Sequence, residues 1–265
     1  MIVDTMTHQE IVADFQKILA KHRDNIVAKM DKIVRRFFLK KGGRNKSKKE
    51  VSFKAISQDV DNNSTLYVIP VCPDYKTFER MRPQTIFFLT FFKDNKLCVL
   101  TEAANFLGER KYNFFTKHLF DRYIERYLSD KVNHKIDLMD AVKHFLEHNP
   151  NIVRVPCKMP RYPTNNYIAA TDTGGIITGK EIDSSIMEYK TYYGQEKLKD
   201  DQLMSALNSK CHLAALSKLQ DIIKLLLMKS PQQLKQISET IQKILNDEYN
   251  NIQRLESQLP LHGTL

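Results

Sequence analysis

Residues 85–101 contain two apolar runs, TIFFLTFF and KLCVLT, which are separated only by the short connection KDN. β-Branched and aromatic side chains dominate both runs, as is typical of β-strands. A connection this short joins neighbouring antiparallel strands, so the pattern predicts a hairpin. The hairpin restricts the possible folds strongly, because both of its apolar strands must be covered by further strands and by helices.

Five other segments have a composition similar to that of the hairpin and are predicted to be strands. They cover residues 51–56, 65–71, 166–171, 175–178 and 185–193. Turns are predicted at Asp172–Gly175 and around Lys180–Asp183. The Pro-rich stretch 151–165 is predicted to be extended or looped.

Helices are predicted where apolar residues recur at spacings of three and four. The predicted helices cover residues 7–39, 137–148, 201–229 and 231–258, and a further helix is predicted to begin near Thr116. The last two would form a helical hairpin, with a partner-binding coiled coil as the alternative. The predicted fold class is α+β, a mostly antiparallel sheet packed with helices, plus an N-terminal helix and a C-terminal helical hairpin.

This order of elements predicts three regions. Residues 1–50 form an N-terminal helix and a basic arm, residues 51–199 form the α+β core, and residues 200–265 form the helical hairpin. The two long C-terminal helices are also candidates for binding a protein partner or for self-association.

The composition excludes several classes of protein. An apolar fraction of 42% and a charged fraction of 27% are typical of a globular chain rather than a disordered one. No apolar run approaches the roughly 20 residues that span a bilayer, so no membrane association is predicted. The start, MIVDTMTHQE, has no secretory pattern.

The cysteines favour a reducing compartment. Cys72, Cys98, Cys157 and Cys211 lie far apart and form no CxxC pair. Free thiols and a cytoplasmic location are therefore predicted. No Cys or His spacing supports a zinc site, and no cofactor is predicted.

One basic segment carries most of the net charge of +10. Between residues 35 and 49 there are eight cationic side chains and no acidic one: Arg35, Arg36, Lys40, Lys41, Arg44, Lys46, Lys48 and Lys49. Such a cluster favours RNA or another polyanion as a partner, because contact with phosphates releases counterions. The alternative is a solvated, mobile loop that keeps the protein soluble.

The stretch YNFFTKHLFDRYIERYL, residues 112–128, places three basic side chains at every fourth position. On a helix, His118, Arg122 and Arg126 would lie at about 0°, 40° and 80° and form one ridge beside the apolar face. Arginine suits phosphate oxygens, and histidine exchanges protons near neutral pH. The alternative is an ordinary solvent-exposed helix face, on which Asp121 and Glu125 form ion pairs with these cations.

The motifs FTKHLFDRYIER, DLMDAVKHFLEH, NYIAAT and SIMEYKTYYG follow one another between about residues 112 and 194. A T-x-H-x-x-x-R-x-x-x-R helix, a second short helix and strands ending in T-x-Y resemble the barnase/EndoU/colicin/RelE-like ribonuclease superfamily, whose members include toxins. More narrowly, the segment is similar to small bacterial domains with an HAxxRMxxR helix. In this chain the residue after the histidine is the bulky Leu119, residues 151–165 interrupt the sheet, and the closing strands carry no second histidine.

The resemblance implies metal-independent cleavage of RNA. His118 would be the acid or base, while Arg122 and Arg126 would hold the charge of the phosphate. Thr191 and Tyr193 lie two apart on a predicted strand and would face the same site.

Two further functions remain open from the sequence. One is a non-catalytic module that uses the same sheet and the basic arm to bind nucleic acid or a protein. The other is a structural or regulatory protein that assembles through its long helices.

Overall fold

A computed structural model gives the arrangement of most of the chain. It describes residues 2–40, 51–52, 55–72, 84–104, 110–129, 131, 136–157, 166–194, 200–226, 246–247 and 250. The strands are β1 Val51–Ser52, β2 Ile56–Asp59, β3 Ser64–Cys72, β4 Gln84–Lys93, β5 Lys96–Ala104, β6 Arg110–Thr116, β7 Ile152–Pro156, β8 Asn166–Thr171, β9 Ile176–Asp183 and β10 Ile186–Tyr193. The helices are α1 His8–Lys40, α2 Lys117–Tyr123, α3 Leu138–His148 and α4 Asp200–Leu226. A π-helical turn, Ile124–Leu128, continues α2.

The chain is α+β with a large mixed sheet, and it divides into two compact units. The first unit comprises Met1–Pro150 and Gly179–Tyr192. The second comprises Asn151–Thr178 and Tyr193–Leu265.

In the first unit the strand order is β1-β3-β4-β5-β6-β10-β9, with β2 also paired to β3. The predicted hairpin is confirmed, because β4 and β5 pair antiparallel from Phe88↔Thr101 to Lys93↔Lys96. Its turn residues Asp94 and Asn95 have φ angles of 51° and 57°. Both residue types tolerate this left-handed conformation, which matches a tight hairpin turn to the twist of the strands.

The sheet is not purely antiparallel. Strand β10 pairs parallel with β6, from Ile186↔Tyr112 to Tyr189↔Phe115. Parallel neighbours need a long crossover connection, and residues 117–185 supply it here. The other strand pairs with a described register are antiparallel, as the prediction of a mostly antiparallel sheet requires, and the parallel pair joins strands that are distant in the sequence.

Helix α1 covers one face of the sheet in the first unit, as its apolar periodicity predicts. Ile11, Phe15 and Ile26 are each buried to 1% exposure or less. They belong to one cluster with strand residues that include Leu89 and Phe114. The sequence indicated this helix well because Pro and Gly are absent from residues 7–39.

The opposite face carries an aromatic cluster formed with α2 and α3. Phe115 follows Phe114 in β6, and alternation along a strand places the two rings on opposite faces. The ring centroid of Phe115 lies 5.5 Å from that of Tyr189 and 5.6 Å from that of Phe145. Tyr123 of α2 lies 5.1 Å from Phe145. Each of these rings is 1% exposed or less, so the cluster anchors α2 firmly beside the sheet.

The second unit has a small core of its own. Strands β7 and β8 pair antiparallel from Ile152↔Thr171 to Pro156↔Tyr167, and α4 packs against both. The hydroxyl of the fully buried Ser209 accepts from the backbone N–H of Ala170 and donates to the carbonyl of Val153. This side chain therefore links α4 to two strands.

Several predicted boundaries are wrong. The turn expected at Lys180–Asp183 lies inside β9, and the chain reverses at Ser184 and Ser185 instead. Strand β7 occupies part of the stretch predicted to be extended or looped. Of the predicted C-terminal helical hairpin, α4 is the first helix, and most of 231–258 lies outside the described residues, so the hairpin is not supported.

Within the described residues, no helix combines the length and the apolar character that a membrane crossing requires.

Candidate functional site

The first unit contains a cavity of about 340 Å³. The start of α1, the β4–β5 hairpin, the junction of β6 with α2, and β10 all contribute to its wall. Its lining residues are His8, Ile11, Phe91, Lys93, Asp94, Lys96, Leu97, Cys98, Phe114, Phe115, Thr116, Lys117, His118, Glu188 and Lys190. Of the residues that the sequence predicted for a site, His118 alone belongs to this set.

Glu188 is the electrostatic centre of the cavity, because three basic side chains surround its carboxylate. His8 Nε2 lies 3.7 Å from Oε1, while the Nζ atoms of Lys180 and Lys190 lie 3.6 and 3.2 Å from Oε2. The contact with His8 and the two nearby lysines outweigh partial burial and hold the pKa of Glu188 at about 2. The carboxylate is therefore ionised at neutral pH, and the cations around it outnumber it.

His8 reaches the cavity from the first turn of α1. Its ring meets Phe114 edge-on, with 4.7 Å between the centroids. The neighbouring Gln9 donates to Asp183 with a distance of 3.0 Å, which attaches the start of α1 to the end of β9. This role could not be predicted from the sequence, since His8 belongs to no motif and is about 180 positions from Glu188.

His118 lies in the first turn of α2, at the mouth of the cavity, and is exposed. Thr116 occupies the N-cap position, as predicted, but its hydroxyl donates to the carbonyl of Lys190. This bond, at 3.3 Å, joins the start of α2 to β10. The neighbouring Lys117 donates to Asp121 at 2.8 Å.

The two predicted arginines do not line the cavity. Arg122 forms an ion pair with Glu125 on the same helix. Arg126 donates to the backbone carbonyl of Tyr192. Regular α-helical spacing ends at Tyr123, and the π turn that follows bonds i to i+5, so the ridge drawn at 100° per residue does not continue to Arg126.

The predicted strand residues take different positions. Thr191 is half-buried and is not among the lining residues of the cavity. Tyr193 packs against the apolar cluster of the second unit, which includes Cys157 and Ile168. Tyr192, which lies between them in β10, is 2% exposed, and its ring centroid lies 5.0 Å from that of Tyr123.

Only the beginning of the basic arm falls within the described residues. Arg35 and Arg36 are exposed near the end of α1. The backbone of Lys40 completes the helix, and Lys41, Arg44, Lys46, Lys48 and Lys49 lie outside the described residues.

Cys98 lines the cavity but lacks the character of a nucleophile. Burial, reinforced by the negative charge of Glu188, raises the pKa of its thiol to about 11. The thiolate is the reactive form of cysteine, so this side chain is protonated and unreactive at neutral pH.

His144 and His148 of α3 form a separate stacked pair, with ring centroids 4.0 Å apart. His144 also shares a hydrogen bond of 3.0 Å with the hydroxyl of Tyr123. Burial, and then the proximity of His148, lower the pKa of His144 to about 4. The parallel rings serve packing, and among the described residues no cluster of three or more His, Cys, Asp or Glu side chains offers a metal site.

Acid is expected to weaken the first unit through Glu188. Its pKa is about 2 in the folded chain against an ordinary value of 4.5, so the stabilisation is complete above 4.5 and is lost as the pH falls towards 2. The loss is expected to be about 1–2 kcal/mol, because exposed lysines supply part of the attraction. Urea unfolding at a series of pH values measures it. The Glu188→Gln variant should have a flatter profile in this window, and an unchanged profile would contradict the assignment.

A scan against protein-family models, a search of curated proteins and a search of solved structures each find no match to this chain.

Proposed function

We propose that the protein binds RNA and seats one phosphodiester at the mouth of the cavity, where His118 acts as an acid or base. The observation that carries the proposal is the composition of that mouth. His118 shares one concave site with His8, Lys96 and Lys190. This combines two groups that can exchange protons with cations that can hold a phosphate.

The proposed reaction needs no metal. One imidazole removes the proton of the ribose 2′-hydroxyl, and the 2′ oxygen forms a bond to phosphorus. The bond from phosphorus to the 5′ oxygen breaks, and the second imidazole, in its protonated form, gives its proton to that leaving oxygen. The products are a 2′,3′-cyclic phosphate and a 5′-hydroxyl end.

His8 supplies the second acid or base, which the closing strands lack. Its Nε2 lies 3.7 Å from Oε1 of Glu188, and this contact fixes the orientation of the ring inside the cavity.

Lysines replace the predicted arginines around the phosphate in this arrangement. Lys96 and Lys190 are exposed on the rim and line the cavity, although Lys190 also pairs with Glu188. Arg122 and Arg126 do not line it and are engaged with Glu125 and Tyr192. A lysine offers a point charge rather than a fork, so the rim attracts a phosphate with less geometric selectivity than an arginine pair.

A cleavage assay in the presence of a chelator tests the proposal. Wild-type protein is expected to cut a mixed-sequence RNA and to leave 2′,3′-cyclic phosphate ends. His118→Ala protein, purified in parallel, excludes a contaminating nuclease. Failure to cut RNA of varied sequence and structure, or equal cutting by both proteins, would overturn the catalytic proposal.

Non-catalytic RNA binding is the second candidate, and the engagement of Arg122 with Glu125 and of Arg126 with the backbone of Tyr192 favours it. RNA binding that persists without any cleavage would decide for this function. Both candidates use the cationic surface of the first unit.

The basic arm is expected to set the salt dependence of RNA binding. Replacing Arg35 and Arg36 by glutamine should lower the slope of log affinity against log salt by about 1–2, since each phosphate contact releases counterions. Fluorescence anisotropy at several salt concentrations measures the slope. Lys17→Gln with Lys21→Gln, also exposed on α1, is the matched control. Equal slopes for the two double variants would exclude Arg35 and Arg36 from the interface.

A further inference from the structure

The cavity has two chemically different ends. Its floor consists of apolar side chains that belong to the core, namely Ile11, Phe91, Leu97 and Phe114. Its rim carries the exposed basic side chains Lys96, Lys117, His118 and Lys190, and one exposed acidic side chain, Asp94. The amine of the partly buried Lys93 donates to the carbonyl of Met6. A ligand that fits both ends must combine an apolar, compact body with an anionic group.

The volume of the cavity limits the size of the apolar part of such a ligand. At about 340 Å³ it lies at the lower end of the range for small-molecule sites, which admits a single flat ring system and its attached sugar. The partly exposed lining residues are His8, Lys93, Cys98, Thr116 and Glu188. Among them the ring of His8 and the uncharged sulfur of Cys98 offer soft, polarisable surfaces.

We propose that the cavity receives one unpaired nucleotide, with its base towards the floor and its phosphate at the lysine rim. This inference rests on the proposed function and names its substrate class, which is single-stranded RNA. A base in a duplex is paired and stacked, so it can enter a cavity only after it has been pulled out at a cost of a few kcal/mol. Lys96 and Lys117 are exposed and leave the strand a route past the mouth.

More than half of the cavity wall lies outside the segment that resembles ribonucleases. Eight of the fifteen lining residues, from His8 to Cys98, precede the segment 112–194 that carries it. The floor in particular depends on α1 and on the β4–β5 hairpin, which lie outside that segment.

Binding of two forms of one oligonucleotide tests the inference. A 2′-O-methyl RNA of about 12 nucleotides, which cannot be cleaved by attack of its 2′ oxygen, is compared as a single strand and annealed to its complement. The single strand is expected to bind about tenfold more tightly, although the duplex has the greater charge density. A 2-aminopurine placed in the single strand should change its fluorescence on binding, because the base leaves its stacked neighbours.

Filling the cavity provides the second test. Cys98→Leu and Cys98→Phe place a larger side chain against the lining, and both should reduce single-strand binding about tenfold while duplex binding stays unchanged. Cys211→Leu, on α4 and not among the lining residues, is the matched control. Thermal unfolding shows which of the two filled variants retains the fold. If Cys98→Phe unfolds the protein, the smaller side chain of Cys98→Leu still allows the test.

The outcomes separate this inference from the proposed function. Equal affinity for single strand and duplex, or normal single-strand binding by the filled variants, would overturn the inference and leave RNA binding intact. If no RNA binds, both the inference and the proposed function are overturned. If free nucleoside monophosphates bind and the filled variants lose them, but oligonucleotides do not bind, the cavity is a small-molecule site and the inference is again overturned.

Discussion

The His118→Ala variant is expected to cleave RNA about 100-fold more slowly than the wild type, because removal of a general acid or base costs at least that factor. The affinity for a non-cleavable RNA should stay within about threefold, since the lysines of the rim remain. Cleavage rates at saturating RNA and anisotropy with the 2′-O-methyl strand measure the two effects separately.

Two controls test whether His118 itself transfers a proton. His212→Ala removes another exposed histidine, on α4, and should leave the rate unchanged. Added imidazole should restore part of the rate of His118→Ala, because the mouth of the cavity is open to small molecules. A variant that loses affinity and rate together, and that imidazole does not rescue, would assign His118 to binding instead of proton transfer.

The Phe145→Ala variant is expected to lower the free energy of unfolding of the protein by about 3–5 kcal/mol, which is the usual cost of deleting a buried aromatic ring. Phe145 is fully buried, and its centroid lies 5.6, 5.8 and 5.1 Å from those of Phe115, Phe120 and Tyr123. Each contact is edge-to-face or tilted, so small shifts of the neighbouring rings cannot fill the space that the ring of Phe145 would leave. Urea unfolding followed by tyrosine fluorescence gives the value.

Phe92→Ala is the matched control for this ring. It is also a phenylalanine in the first unit, but 51% of it is exposed. Its loss should change the free energy of unfolding by less than about 0.5 kcal/mol. Similar effects at the two positions would mean that the aromatic cluster does not anchor α2.

The parts of the fold that could be predicted from the sequence are those that local patterns determine. The periodicity of residues 7–39 indicated α1, and the KDN connection indicated the hairpin between β4 and β5. The pairing of β6 with β10 could not be predicted, because the two strands are joined through residues 117–185 and no local pattern specifies such a partner. The turn at Ser184 and Ser185 was predicted too early, around Lys180–Asp183, because the polar residues there resemble a turn although they belong to β9.

The candidate site was predictable only where a motif was local. Helical spacing singled out His118, and the structure places it at a cavity. The same spacing assigned Arg122 and Arg126 to its ridge, but a π turn and an ion pair with Glu125 direct them elsewhere. His8 and Glu188 were missed because their roles arise from tertiary contact alone. A single ionisable residue in an ordinary helix or strand carries no sign of a distant partner.

The dependence of the cavity on both α1 and β10 has a consequence for when the cavity can form during synthesis of the chain. The wall is complete only when Glu188 and Lys190 have joined His8, Lys96 and His118. A ribosome makes these segments in that order, and β10 inserts beside β6 only after the connection between them has emerged. A nascent chain that ends before β10 therefore has neither the ionised carboxylate of Glu188 nor the complete wall of the cavity. If the site cuts RNA, the messenger and the ribosome that produce the protein are safe from it until almost the whole sheet is built.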